Sequence, residues 1–183
     1  MGIFLLSHSM VGAITERDSL FALLDRKDLK DSSRSTTLYN LAYYFSKKEP
    51  DSSRLFGKKS LELAMQIGHR KNIALSYSVI GLSYFNQGDY VRTMENYEVA
   101  KQLFEQSRDS AGMGNIYNNI ANAYRKTGNV KSAIRYYFLS IEIKENLKDR
   151  KGLAGAYNNL GNLYNDQRQP DKSLEYHLKS LKI

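Results

Sequence analysis

One eight-residue block recurs along this chain at a constant interval. Tyr157-Asn-Asn-Leu-Gly-Asn-Leu-Tyr164 is matched 40 residues earlier by Tyr117-Asn-Asn-Ile-Ala-Asn-Ala-Tyr124. A looser copy, Tyr77-Ser-Val-Ile-Gly-Leu-Ser-Tyr84, stands 40 residues before that. A chain built on such a period has no single central core. Each unit buries its apolar face against its neighbours, and the units stack into a solenoid, an architecture mostly used to hold other molecules. The period therefore points to a binding protein before any single side chain is considered.

Within each unit the apolar residues fall at helical spacing. Tyr117, Ile120, Ala121 and Tyr124 run i, i+3, i+4, i+7, as do Tyr157, Leu160, Gly161 and Tyr164. Leu38, Leu41, Ala42 and Phe45 give the same stripe in the first unit, displaced by one residue. A small residue (Ala42, Gly81, Ala121 or Gly161) always sits mid-stripe. Glycine inside a helix costs up to about 1 kcal/mol relative to alanine, so close helix packing must compensate. Turn dipeptides follow the stripe at Gly88-Asp89 and Gly128-Asn129. Pro50 and Pro170 each open a second helix, where the missing N–H costs nothing. That helix carries small residues at Ser53, Thr93, Ala133 and Ser173, and again at Ser60, Ala100, Ser140 and Ser180. Large ones lie between them at Tyr97, Tyr137 and His177.

Aromatic-x-x-Leu-Gly-x-x-Tyr, then Gly, then small-x-x-x-aromatic resembles the tetratricopeptide (TPR) pattern, with Tyr157 where that family often has Trp. The resemblance implies an all-α fold, a right-handed TPR superhelix or α-solenoid of about four helix-turn-helix repeats. The units fall at approximately 33–69, 70–109, 110–149 and 150–183, the last truncated on this reading. Residues 1–32 then hold a signal-like stretch and an N-terminal capping helix. The family's usual repeat is about 34 residues, with a proline ending the second helix. Here no proline does so, and the longer period implies second helices extended by about a turn and a half. Gly68-His69-Arg70, Arg108-Asp109-Ser110 and Lys148-Asp149-Arg150 mark the joints, with Asp109 and Asp149 as N-caps. The 40-residue variety resembles kinesin-light-chain arrays, G-protein-signalling modulators, and bacterial TPR sensor segments preceding a kinase or DNA-binding effector. The leading Asp18–Asp25 helix behind a signal-like stretch favours the bacterial sensor type.

Asparagine is a mediocre helix former because its amide competes for backbone groups. Yet Asn118, Asn119 and Asn122 recur as Asn158, Asn159 and Asn162, with Asn165 one turn further on. Asn118, Asn122 and Arg125 share one helical face, as do Asn158, Asn162 and Asn165. The resemblance puts first helices inside the superhelix, and so these side chains in a concave groove. A carboxamide both donates and accepts, so it pairs with a peptide backbone whatever the peptide's sequence. The rival reading is an inter-repeat hydrogen-bond network that fixes the superhelical twist. Asn119 and Asn159 lie nearer the buried stripe, where bridging between repeats is the simpler role. Arg125 and Lys126 suit an acidic partner, and equally suit the negative end of a helix dipole. In the first two units the groove positions read Tyr39, Tyr43, Ser78, Leu82 and Phe85, either anchors for apolar side chains or scaffold packing.

Other function classes find less support. No cysteine is present, which excludes disulfides and thiolate chemistry. His8, His69 and His177 belong to different units, and His177 aligns with Tyr97 and Tyr137 as a packing residue. Gly112-Met-Gly114 lacks a preceding strand and a phosphate-loop lysine. Glu142, Glu145 and Asp149 read as a solvated face. These observations lead us to expect a non-enzyme with no cofactor and no metal site. Much of the net charge of +8 sits in the first repeat and at its joint with the second, at Lys47, Lys48, Arg54, Lys58, Lys59, Arg70 and Lys71. Without a nucleic-acid-binding motif beside it, a basic face is most simply solvated, and nucleic acid is disfavoured as a partner. No run reaches the ~18 apolar residues of a membrane span. Ile3–Leu6 followed by Val11–Ala13 resembles the end of a secretory signal without its positive start, which favours export over a cytoplasmic location by a small margin. Leu174, Leu178 and Leu181 face the chain's end with no polar cap over them. A longer protein or self-association through that face follows from the solubility needs of terminal repeats. The expected function is a protein- or peptide-binding scaffold, the sensory or docking part of a larger signalling protein. The alternative is a TPR regulator with a nucleic-acid-binding or effector-modulating role.

Overall fold

The computed structural model describes residues 15–183. The signal-like stretch Ile3–Ala13 lies outside the described residues. Those described form helices α1 (Glu16–Leu24), α2 (Asp31–Phe45), α3 (Pro50–Gln66), α4 (Arg70–Asn86), α5 (Tyr90–Ser107), α6 (Ser110–Lys126), α7 (Val130–Asn146), α8 (Arg150–Asp166) and α9 (Pro170–Leu181), with no strand. From α2 onward they alternate as first and second helices of four units.

Local chemistry sets the helix ends. Pro50 and Pro170 stand in the first turn of α3 and α9. Asp89, Asp109, Asn129 and Asp149 are N-caps spaced by 20 residues, each side chain accepting the N–H of the residue three positions on, at 2.9–3.1 Å. His69 caps α4 in the same way through Nδ1, at 3.2 Å. One residue before each of these caps the backbone is left-handed, at Gly68, Gly88, Arg108, Gly128 and Lys148; Arg168, ahead of Gln169, repeats the geometry. One turn geometry thus serves both inside a unit and between units. The 40-residue period divides into two equal halves. First helices α4, α6 and α8 have 17 residues, and second helices α5 and α7 have 18 and 17, so the length is not confined to the second helix.

Small residues let the two helices of a unit close on each other. A Cβ on Gly81 would lie 2.6 Å from the Tyr97 ring, and one on Gly161 would lie 2.9 Å from His177. Ala42 and Ala121 are wholly buried, as are Tyr97 and Tyr137 to within 1%. The mid-stripe small residue therefore receives the large side chain of the second helix in the last three units. In the first unit Gly57 replaces that aromatic, and Ile80 of the next unit fills the space, 2.9 Å from where a Cβ would stand. Serines complete the seam, Ser60 and Ser140 buried and Ser180 half-buried. Ser60, Ser140 and Ser180 donate to the carbonyls of Ser35, Gly114 and Ala154 at 2.7–2.8 Å.

First helices touch one another across units, α2 on α4, α4 on α6, and α6 on α8. Second helices pack chiefly on first helices, their own and the following one, with a lesser contact between second helices where the Phe138 ring of α7 meets the Tyr176 ring of α9 at 6.4 Å. The first helices are therefore the inner layer of the solenoid. At one end α1 packs on α2 with no fully buried residue, Phe21 meeting Phe56 edge-on at 5.8 Å. At the other, Leu174, Leu178 and Leu181 of α9 are exposed.

Candidate binding groove

A cavity of about 350 Å³ opens on the inner layer and is lined from all four units. One side is aromatic and aliphatic: Tyr39 and Tyr43 from α2, with Leu75 and Leu82 from α4. The Tyr39 and Tyr43 rings lie 6.5 Å apart. Burial, with the neighbouring Tyr43, pushes the Tyr39 hydroxyl up to about 12, so it stays a neutral donor at any physiological pH. The opposite side is carboxamide: Asn115, Asn118 and Asn119 from α6, and Asn159 from α8. Asn159 donates to Asn118 Oδ1 at 3.0 Å, tying the last two units together across the cavity.

The lining also contains one charged side chain, Lys144, contributed by second helix α7. It is only 4% exposed, and its Nζ donates to Asn115 Oδ1 at 2.7 Å and reaches Asp149 Oδ2 at 3.4 Å. Its presence depends on Gly152, where a Cβ would come within 2.6 Å of the ammonium and overlap Asp149. Asp149 Oδ1 caps α8 through the Gly152 N–H at 2.9 Å. That bond, with the Lys144 charge adding to it, holds the Asp149 carboxyl below the usual carboxylate range.

Of the sequence-derived candidates, the structure gathers Tyr39, Tyr43, Leu82 and Asn118 into this cavity. It does not bring Asn122, Arg125, Asn158, Asn162 or Asn165 into the lining. Asn122 accepts the buried Tyr137 hydroxyl at 2.6 Å. Arg125 pairs with Asp166 of the next unit at 3.5 Å. Asn158 Oδ1 lies 3.2 Å from His177 Nδ1, and Asn165 is exposed at the end of α8. The face of α6 turned to the cavity is Asn115–Asn118–Asn119, which shares Asn118 with the Asn118–Asn122–Arg125 stripe but lies nearer the start of the helix. The acidic face of α7 is more engaged than a solvated stripe. Glu145 accepts from the Tyr157 hydroxyl at 2.8 Å, as Glu105 does from Tyr117 at 3.1 Å. The basic first unit is also partly occupied internally. Arg54 pairs with Asp51 and stands 5.0 Å over the Tyr84 ring, and Lys71 pairs with Asp109 at 3.8 Å.

A sequence profile described as tetratricopeptide repeat matches residues 112–183, which hold the last two units. Two solved structures share the arrangement over 91% of this chain. BtubC (BKLC) from P. vanneervenii aligns with a TM-score of 0.68 at 18% identity over 69% of its own length. Aspartyl phosphate phosphatase F from Bacillus subtilis aligns with a TM-score of 0.75 at 16% identity over 43% of its length. The chain thus has a TPR-like solenoid fold, and its residues 112–183 match the tetratricopeptide repeat. At such identities the two structures share its fold, and the chain spans less than half of the Bacillus protein. No curated protein sequence matches it.

In this TPR solenoid, Lys144, Asn115 and Gly155 escape a reading based on the repeated motif, because they are where units differ. Aligning the units by 40 residues supplies the missing signal. Ala64, Phe104 and Lys144 share one position, and Asn72, Gly112 and Gly152 share the position facing it.

Proposed function

We propose that this TPR-type protein is a peptide-binding scaffold, and that the inner cavity is where a segment of a partner protein sits. The observation that carries this reading is the split lining. Tyr39, Tyr43 and Leu82 offer an apolar surface for side chains, while Asn115, Asn118, Asn119 and Asn159 face them with donors and acceptors suited to a peptide backbone. The repeat architecture itself supports a protein-interaction scaffold. The finer proposal is a docking or sensory module within a larger signalling protein. A fold shared with a protein named for aspartyl phosphate supports that context by analogy alone. Salt-dependent nucleic-acid binding is the weaker reading, since Arg54 and Lys71 of the basic unit already have partners within the chain.

Selection of a displayed random-peptide library on the immobilised protein tests the proposal. Wild type is expected to enrich a common peptide motif, and Asn118→Ala with Asn159→Ala to lose it while keeping its helical circular dichroism. Equal enrichment by a variant with the cavity filled, Gly155→Leu, would overturn it.

A further inference from the structure

The joint between the first and second units is chemically unlike the other two. At the later joints a carboxylate caps the incoming helix: Asp109 accepts the Gly112 N–H and Asp149 the Gly152 N–H, both at 2.9 Å. At the first joint the acceptor is an imidazole nitrogen, His69 Nδ1, 3.2 Å from the Asn72 nitrogen. A carboxylate ordinarily stays ionised down to about pH 4, whereas histidine ordinarily gains its proton between about pH 8 and pH 5. The Asn72 N–H points at Nδ1, so the bond exists only while that nitrogen carries no hydrogen. Once the ring is cationic both nitrogens are donors, and turning it over restores nothing. The new charge also stands at the positive end of the α4 dipole.

The capped residue gives this chemistry reach. Asn72 is 2% exposed, and its side chain ties α4 to α2. Its Nδ2 donates to Thr36 Oγ1 at 2.9 Å and to Ser35 Oγ at 3.2 Å, and lies 3.4 Å from the Ser32 carbonyl oxygen. Gly112 and Gly152, at the aligned positions, have no side chain with which to do this. One residue thus carries both the cap and the tie between the first two units. Across the small pocket beside His69 stand Leu23 of α1 and Ser32, Ser33, Thr36, Thr37 and Asn40 of α2, none of them charged. The last turn of α3, Leu63–Gln66, is uncharged as well. The charged groups beside His69 are Arg70 and Lys71 of α4, with Asp109 3.8 Å beyond Lys71. His177 behaves differently, because its Nδ1 lies 3.2 Å from an acceptor, Asn158 Oδ1, and that contact survives protonation.

We propose that the first joint is a pH-sensitive hinge, in which protonation of His69 removes the α4 cap, frees Asn72 and loosens the first unit from the other three. The first unit carries Tyr39 and Tyr43. Mild acid therefore releases the aromatic wall of the inner cavity and leaves the Asn118 and Asn159 wall in place, tied by its own bond. The later joints, capped by carboxylates, do not share this response.

Amide hydrogen exchange, read residue by residue at about pH 7.5 and about pH 5.5, tests the hinge. The ratio of the Asn72 rate to the Gly112 rate cancels the common effect of pH on exchange chemistry. In wild type this ratio should rise about twofold to thirtyfold at the lower pH, the span that a lost N-cap implies. His69→Asn supplies an acceptor that does not titrate, as Asn129 already does for α7, so its ratio should stay flat. His177→Tyr, which restores the aligned residue, should respond as wild type does. Because the chain lacks cysteine, Tyr43→Cys with Asn165→Cys gives a unique pair for spin labels, both positions being exposed. Their distance distribution should broaden at the lower pH and stay narrow once His69→Asn is added. A flat ratio in wild type, an equal rise in His69→Asn, or a distance distribution indifferent to pH would overturn the hinge.

Discussion

The joint between α5 and α6 and the joint between α7 and α8 follow one plan and differ in chemistry. At each, a large side chain near the end of a second helix inserts toward a glycine three residues beyond an aspartate cap: Phe104 toward Gly112, and Lys144 toward Gly152. The earlier joint at Ala64 inverts the sizes, with the larger Asn72 donating to Ser35 Oγ at 3.2 Å and Thr36 Oγ1 at 2.9 Å. Backbone geometry is therefore indifferent to what fills this position, provided the facing residue compensates in volume. A repeat scaffold can then change an apolar plug into a buried cation without altering its course, and place a charge where the inner cavity meets it.

The largest contrast between the joints should appear on truncation. Phe104→Ala removes a ring that is 2% exposed and is expected to cost about 3–5 kcal/mol in urea unfolding. Lys144→Met keeps volume and discards a buried charge, so it should fall within about 1 kcal/mol of wild type or exceed it. Similar losses for the two would mean that Lys144 is as integral to packing as Phe104. The glycines sharpen the contrast further. Gly112→Ala drives a methyl into the Phe104 ring and should destabilise by about 1–3 kcal/mol. Gly155→Ala meets open space and should stabilise by about 0.5–1 kcal/mol; destabilisation there would show that packing does demand this glycine.

The smallest expected effect concerns pH. The folded carboxyl of Asp149 is depressed below its unfolded value, by the Gly152 N–H first and the Lys144 charge after it. Its contribution is present above the unfolded pKa of about 4 and is lost as pH falls through the folded value. Asp149→Asn keeps a competent cap and removes the charge. Its unfolding free energy should fall less than wild type's between neutral pH and pH 3. An unchanged acid limb would show that neither the Gly152 N–H nor the Lys144 charge favours the ionised carboxylate.

Much of the scaffold is legible in the sequence because its determinants are local and repeated. The cap at Asp109 acts three residues away on Gly112, and the mid-stripe Gly81 requires a large partner one helix later. The site is less legible because its members are the exceptions to the period. A helical wheel places Asn118, Asn122 and Arg125 on a shared face, but helix crossing turns Asn115 and Asn119 to the cavity and gives Asn122 to the Tyr137 hydroxyl. Lys144 on a wheel of α7 is one of two lysines. Only the neighbouring helix, through Gly152, makes it a buried group.

By itself the sequence determined the period, the alternation of two helices, the small-against-large seam and the Asp109 and Asp149 caps at the joints. All of these depend on spacings within about one unit, which the chain states directly. Tertiary structure decided which side chains meet across three or four units: Tyr39 facing Asn159 across one cavity, and Lys144 set into its lining. Those encounters depend on how successive small rotations between stacked helices add up, a quantity that no single repeat contains.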